Sequence, residues 1–301
     1  MKKSTKAILI CVSTLLIAAI GFFGFQSRYY PHYISQRREF DITQTPVSDG
    51  EINVMSFNVR RSNILEPGKR DWYWRADLMI DTIGNNAPDI IGFQEVKRLQ
   101  YRYFQKTLPG YESVTEYRDS SFDPESCPIF FRADKYALIG SGTFWLSETP
   151  GMMSKGWDGD CYRLCTWVVL TEKSTGRELA VYNTHLDNAG QQARQEGMKL
   201  ILERIAQRGD MPVILTGDMN SGEDSAVYGL MTGALLDTKT EAEDTMDVKT
   251  SNSFGNDGGH IIDYIMVSKT GFEAEKYWVD RDAPGGVFVS DHYAVCARVK
   301  L

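Results

Sequence analysis

PVILTGDMNS, residues 212–221, is a short apolar run closed by Asp218 and Asn220. Four apolar or β-branched residues, Val213 to Thr216, ending in a Gly-Asp turn signal point to a buried strand with polar groups at its end. The construction recurs. Asn58 closes INVMSFN, Glu95 closes DIIGFQE, and His185 and Asp187 close LAVYNTHLD; Asp263 interrupts IIDYIMV, and Asp291-His292 precedes YAVCARV. Strands are therefore predicted at 51–59, 89–94, 128–132, 143–147, 164–171, 178–185, 212–217, 261–267 and 293–299. Helical spacing is expected over 71–85, where Trp74, Leu78, Ile80 and Ile83 recur ahead of Pro88. A second helix is expected over 190–208, with Met198, Leu202 and Ile205 on one side. Many strands and few helices suggest an α/β fold with sheets packed on each other and helices outside.

The 301 residues, 42% of them apolar and 12% aromatic, are enough for a full core in one large domain or two small ones. The sharp break in composition is at the start, where Lys2, Lys3 and Lys6 precede an uncharged run over 7–25 that is long enough to cross a bilayer. That run exceeds the apolar core of an ordinary cleaved leader and exits through Gly24-Phe25-Gln26-Ser27 without an A-x-A site, so residues 1–25 are expected to be an uncleaved signal anchor. Ile10 before Cys11 argues against a lipoprotein site. Arg28, Arg37 and Arg38 compete with the lysines in the positive-inside count; we place the domain outside the cytoplasm. Residues 26–49, with Pro31 and Pro46 and no period, are expected to be a linker, and 50–301 the catalytic domain.

Cys161 and Cys165 would be too far apart on a strand to bridge, and Cys127, Cys165 and Cys296 lie among apolar neighbours as small core residues. The chain carries a net charge of −7 and residues 1–48 carry +4, which leaves −11 for the domain. Such a domain is a poor general binder of polyanions.

Each polar strand end has an ordinary explanation alone: a turn former, a helix cap, or a histidine satisfied in the core. Together the segments SFNVR, GFQEV, NTHLD, LTGDMNS, IDYIMVS and SDHYAV, in that order, resemble the endonuclease/exonuclease/phosphatase superfamily, and they do so over about 51–301. GTFWLSETP is similar to a bacterial branch with poorly defined substrates. The resemblance implies the deoxyribonuclease-I-like fold: a four-layer α/β sandwich of two packed mixed β-sheets flanked by helices.

It also implies hydrolysis of a phosphoester with Mg²⁺ or Mn²⁺, for which hard oxygen ligands are suited. Glu95 is the first choice of metal ligand, with Asn58 beside it and Asp291 completing the metal environment. By the same resemblance Asp218 orients or deprotonates the attacking water and Asn220 holds a phosphate oxygen. His292 contacts the phosphate or moves a proton, Asp263 fixes its tautomer, and His185 approaches the phosphate from another side. Asp187 is placed in the catalytic set with His185. Which group is the base stays open.

The bacterial branch is associated with THLDH, whereas Asn188 follows Asp187 here, so an additional imidazole contact is missing. His260 matches no motif and is expected to be an exposed loop residue. Substrates compatible with the resemblance include nucleic acid, a nucleotide, a sugar or inositol phosphate, and a lipid headgroup, with the acidic domain weighing against long nucleic acid. No protein partner is legible. The alternative, a phosphate-binding domain that has lost turnover, sits poorly with an intact set of polar strand ends.

Overall fold

In sheet one, strand β1 (Glu51–Asn58) lies between β2 (Ile90–Gln94), to which it is parallel, and β14 (Ala294–Lys300), to which it is antiparallel. The order is completed by β13 (Glu273–Asp280) at one edge and by β6 (Ile129–Arg132) and β4 (Tyr111–Val114) at the other. Sheet two runs β11 (Leu235–Asp237), β12 (Asp263–Ser268), β10 (Val213–Asp218), β9 (Glu178–His185), β8 (Leu164–Glu172) and β7 (Tyr136–Trp145). A two-stranded ladder joins β3 (Val96–Lys97) to β5 (Glu125–Ser126). This computed structural model describes residues 3–24, 38–63, 65–66, 68–256 and 259–301.

The main core lies between the two sheets. Ile52, Val54 and Ile90 from sheet one meet Val168, Leu170, Val181, Ile214 and Ile265 from sheet two. The outer face of sheet one carries α2 (Trp72–Asn86) and α3 (Arg98–Thr107), where Phe93 stacks on Phe104 at 4.6 Å and Trp72 meets Tyr103 edge-on. The outer face of sheet two carries α4 (Gln191–Ala206) and α5 (Ala226–Ala234), sealed by Tyr182, Met198, Ile201, Leu215 and Met231. A one-turn helix, α6 (Thr238–Glu241), follows β11. These are the four layers expected.

Helix α2 starts where the Asp71 side chain accepts from the Tyr73 amide and stops at Ala87, which is left-handed ahead of Pro88. Its buried stripe is Trp72, Ala76, Met79, Ile80 and Ile83, rotated from the expected one. Trp74 is exposed. Gly190 at the start of α4 has no side chain to cap with. The cap is supplied from Asp158, which accepts from the amides of Gln192 and Ala193 at 3.2 and 2.7 Å.

The chain falls into two units, Met1–Arg38 and Glu39–Leu301. In the first, α1 (Lys3–Gly24) contains Thr5–Phe22, long and apolar enough to cross a membrane. The expected linker divides. Residues 25–37 lie outside the described residues, whereas 39–49 are part of the folded domain. There Ile42 is fully buried, the Phe40 amide donates to the Thr107 carbonyl at 2.9 Å, and Arg132 donates to the Thr45 carbonyl at 2.8 Å. All five cysteines are free, and Cys127, Cys165 and Cys296 are buried.

Candidate active site

The register brings the polar strand ends together. On sheet two Asp218 pairs across β9 with His185 and across β12 with Asp263, so three neighbouring strands present their polar residues side by side. On sheet one Asn58 pairs with Gln94, and the next residue, Glu95, turns into the site at a φ of 60°. A non-glycine residue at positive φ is strained, and such strain concentrates at functional positions. Asn220 shares the feature, with a φ of 46° and its amide bonded to Asp218 Oδ1 at 2.9 Å.

Asn58 links the two sheets here. Its Nδ2 donates to Asp218 Oδ2 at 2.9 Å and to Glu95 Oε1 at 3.2 Å, while its Oδ1 accepts from the Arg60 amide. The amide oxygen expected at a metal is therefore engaged by the backbone. Glu95 Oε2 accepts from the Arg61 amide at 3.0 Å. Burial pushes the Glu95 carboxyl up, but the Arg61 amide, Arg60, His292 and Asn58 outweigh it and hold it below its ordinary value. Asp218 is pushed the other way: it is fully buried with Asp263 nearby, which outweighs the opposing pull of His292.

The two histidines flank Asp218 Oδ2, with His185 Nε2 at 3.4 Å and His292 Nε2 at 3.7 Å. His292 Nδ1 lies 2.9 Å from Asp263 Oδ2, which also accepts from Thr250 Oγ1 at 2.6 Å. Burial would lower the pKa of His292, but Asp263 and Asp218 carry it well above the ordinary value, so the ring is cationic at neutral pH. Burial and the Arg163 charge drive His185 well below its ordinary value, and it stays neutral. Asn220 Nδ2 donates to His185 Nε2 at 2.9 Å and to the Leu186 carbonyl at 3.0 Å. One N–H thus holds His185, leaving the ring proton on Nδ1, and the other holds the Leu186 carbonyl.

Two expected members stand apart. Asp187 turns to the 158–163 loop: its oxygens accept from the amides of Gly190, Cys161, Ala189 and Asp160 at 2.8 to 3.2 Å. Burial pushes this carboxyl up, and those amides more than reverse the effect, bringing it down to about 2. Asp187 organises a loop rather than joining the Asp218 cluster. Asp291 pairs with Arg60 at 3.3 Å, at the edge of the cluster. His260 is exposed, as expected.

The arginines were not legible in the strand ends. Arg75 is fully buried and donates to the carbonyls of Arg70, Val59, Val289 and Arg60, clamping the segments that carry Asn58 and Asp291-His292. Arg163 shares a small pocket with Glu95 and His185; its Nη2 donates to Asn188 Oδ1 at 3.0 Å and its Nε lies 3.7 Å from Asp187 Oδ2. The signal available was an arginine directly ahead of the apolar run LCTWVVL.

Asp218, Asp263 and His292 bring three ligand-type atoms within 4.8 Å of one another. A protonated imidazole bonded to Asp263 is a poor ligand, so the donors that suit a cation are the carboxylates. Glu95, Asp218, Asp263 and Asp291 stand against His292 and Arg60; Arg60 is shared with Glu66 at 2.9 Å, and Arg61 and Arg163 pair with Glu125 and Asp187 outside the set. A hard divalent ion fits that excess of oxygen charge.

A profile described as the Endonuclease/Exonuclease/phosphatase family matches residues 55–292. The fold superposes on an endonuclease/exonuclease/phosphatase from Bacteroides vulgatus with a TM-score of 0.79 and 30% identity, covering 83% of this chain and 99% of that one. It superposes on a mannosyl-6-phosphatase of Bacteroides thetaiotaomicron with a TM-score of 0.75 and 31% identity, covering 83% and 100%. The 3'-5'-exoribonuclease subunit of the CCR4-Not complex of Candida albicans is 25% identical over 71% of this chain, a match that spans only 32% of that longer protein. With its two six-stranded sheets and the polar residues at their ends, the chain belongs to the endonuclease/exonuclease/phosphatase family, whose members are metal-dependent phosphoester hydrolases.

Proposed function

We propose that this chain hydrolyses a phosphoester carried by a small molecule, with Mg²⁺ or Mn²⁺ held at Glu95 beside Asp291. The observation that carries this reading is the pairing of two oppositely tuned histidines around a buried Asp218. Bound there, the ion offsets the phosphate charge that repels an incoming nucleophile and orients the phosphoryl oxygens. Asp218, raised toward neutrality by burial, suits a group that takes a proton from the attacking water. The water oxygen forms the new P–O bond as the ester P–O bond breaks, and the departing oxygen takes a proton from solvent and leaves as the alcohol. His292, kept cationic by Asp263, faces the charge that develops on the phosphoryl oxygens. Asn220 and Asn58 position His185 and the Glu95–Asp218 pair, and Asp187 is a positioning residue for the adjoining loop.

The small-molecule assignment rests on charge: a domain near −11 is a poor general binder of a long polyanion. The match to the bacterial mannosyl-6-phosphatase, 31% identical and covering that whole chain, agrees better with a small substrate than the partial match to the exoribonuclease. We further propose that Thr5–Phe22 anchors the enzyme in a membrane with the domain outside the cytoplasm.

The test is a panel of sugar phosphates, nucleotides, inositol phosphates, lipid headgroups and oligonucleotides, assayed with and without Mg²⁺ and Mn²⁺. Glu95→Gln keeps side-chain volume while removing the charged ligand, and is expected to lower turnover by about a hundredfold or more without lowering the melting temperature. Near-normal turnover of this variant at limiting Mg²⁺ would remove Glu95 from the metal.

A further inference from the structure

On the outer face of sheet two, away from the strand ends, lies a cavity of about 490 Å³. Its floor is the Trp167 indole, which crosses Gly142 on the neighbouring strand. A Cβ at Gly142 would come within 2.9 Å of that ring, so the glycine is what lets it lie flat. The Arg208 guanidinium covers the indole at 4.4 Å and donates through Nε to the Tyr182 hydroxyl at 2.9 Å. Arg204, on α4, stands 5.6 Å from the Phe144 ring on the opposite wall, with Pro150 beside it.

The cavity is separate from the candidate active site. Side chains alternate along a strand, and Asn183 points inward to the other sheet, so His185 shares the inner face while Tyr182 faces α4. Among the described residues neither Arg204 nor Arg208 pairs with a carboxylate, in a domain that has an excess of them. Two guanidiniums without a counter-charge, held over aromatic walls, form a receptor for a doubly charged group on a ring-shaped body. A phosphomonoester, at about −1.5 to −2 at neutral pH, matches that charge.

We propose that this cavity is a second binding site, for a ring-bearing phosphomonoester. The ring lies against Phe144 and Pro150, and the phosphate is held between Arg204 and Arg208, the latter seated on the Trp167 indole.

The test titrates the full-length chain, in detergent and EDTA to silence turnover, with AMP, glucose 6-phosphate and phenyl phosphate. Calorimetry and tryptophan fluorescence report binding. At least one of the three is expected to bind saturably, and its dephosphorylated form and inorganic phosphate are expected to bind about tenfold more weakly or worse. Arg204→Gln should weaken binding by about the same factor. Arg204 is exposed and donates no side-chain hydrogen bond to the described residues, so this variant leaves the fold intact. Arg208→Gln should act likewise, and His292→Ala should leave binding unchanged. No saturable binding by any of the three would overturn the proposal. So would binding that survives both arginine substitutions but is lost in His292→Ala, since the ligand would then occupy the active site.

Discussion

Two imidazoles on either side of one carboxylate oxygen, at 3.4 and 3.7 Å, are held in opposite states by their other neighbours. His292 backs onto Asp263; His185 takes a hydrogen bond from Asn220 on the nitrogen that faces Asp218 and feels the positive charge of Arg163. If the cationic His292 is needed for turnover, activity falls as pH rises through its raised pKa, and this sets the alkaline limb. In Asp263→Asn the ring keeps a hydrogen-bond partner but loses the charge that stabilises imidazolium, so that limb should move to lower pH. The maximal rate should drop about tenfold, and His292→Ala should cost about a hundredfold or more. The double variant should be little worse than His292→Ala, because Asp263 acts through His292. Additive losses with an unchanged pH profile would show that the two residues act independently.

The same shifts bear on stability, since both His292 and Asp218 are raised. A raised group contributes stability that is full below its unfolded-state pKa, about 6.5 for His and about 3.9 for Asp, and loses it as pH climbs through the folded value. His185, being lowered, acts in the opposite sense up to about pH 6.5, so the metal-free protein should melt at progressively lower temperature from neutral to alkaline pH. Mg²⁺ or Mn²⁺ should recover more of that loss at the alkaline end, where Asp218 is ionised. A melting temperature that is flat over this range in EDTA would contradict the assigned shifts.

Beneath the site the inner faces of the two sheets carry polar groups and approach closely. Asn183 on β9 donates to the carbonyls of Phe93 and Pro128 across the interface and accepts from Gln94 and Thr216. Gly92 on β2 makes room for this, since a Cβ there would lie 2.1 Å from Thr216 Oγ1 and 2.7 Å from Asn183 Oδ1. Gly92→Ala should therefore part the sheets at the seam and cost about 1–3 kcal/mol, as overpacking does. Turnover should fall as well, because Asn58 and Asp218 bond across the sheets just beyond it. A melting temperature equal to that of the wild type would show that the seam yields without strain.

Nothing in the sequence singles out this seam, because Asn183 and Thr216 occupy positions that alternation assigns to a core face. Apolar runs bounded by turns were legible: eight of the nine expected strands lie within two residues of their observed ends, and the ninth, 143–147, is the end of the longer β7. Strand β13, EAEKYWVD, was not legible, since an edge strand with one wet face carries too many charges to stand out as an apolar run. Helix α3 hides its buried face in Tyr103 and Phe104 amid polar residues, and β3, β5 and β11 are too short to show any period. Residues at strand ends were legible as a site because the pleat and the turn chemistry mark them. Arg75 and Arg163 were not, since their partners are backbone carbonyls and loops distant in sequence.

At the scale of the whole molecule, the charge is split between a short basic start and an acidic domain, with an apolar helix in the first unit. Thr5–Phe22 is 18 residues, which at about 1.5 Å per residue gives about 27 Å, close to the hydrocarbon thickness of a bilayer. Its apolar side chains are exposed: Ile8, Leu15 and Ile17 are 63%, 71% and 69% exposed among the described residues. Left in water, so much apolar surface would drive association, which the bilayer relieves. A cleaved leader would meet the same requirement only transiently, and the two cases differ in the mature mass. If residues 1–25 are an anchor, the full-length protein should sediment with membranes and resist extraction by alkaline carbonate. Detergent should release it, and its intact mass should include the N-terminus. Removal of residues 1–25 should move it to the soluble fraction with turnover on a soluble substrate unchanged, because the residues proposed for catalysis all lie in Glu39–Leu301. A mature N-terminus near Gln26 would instead make the helix a leader, and the domain would work free of the membrane.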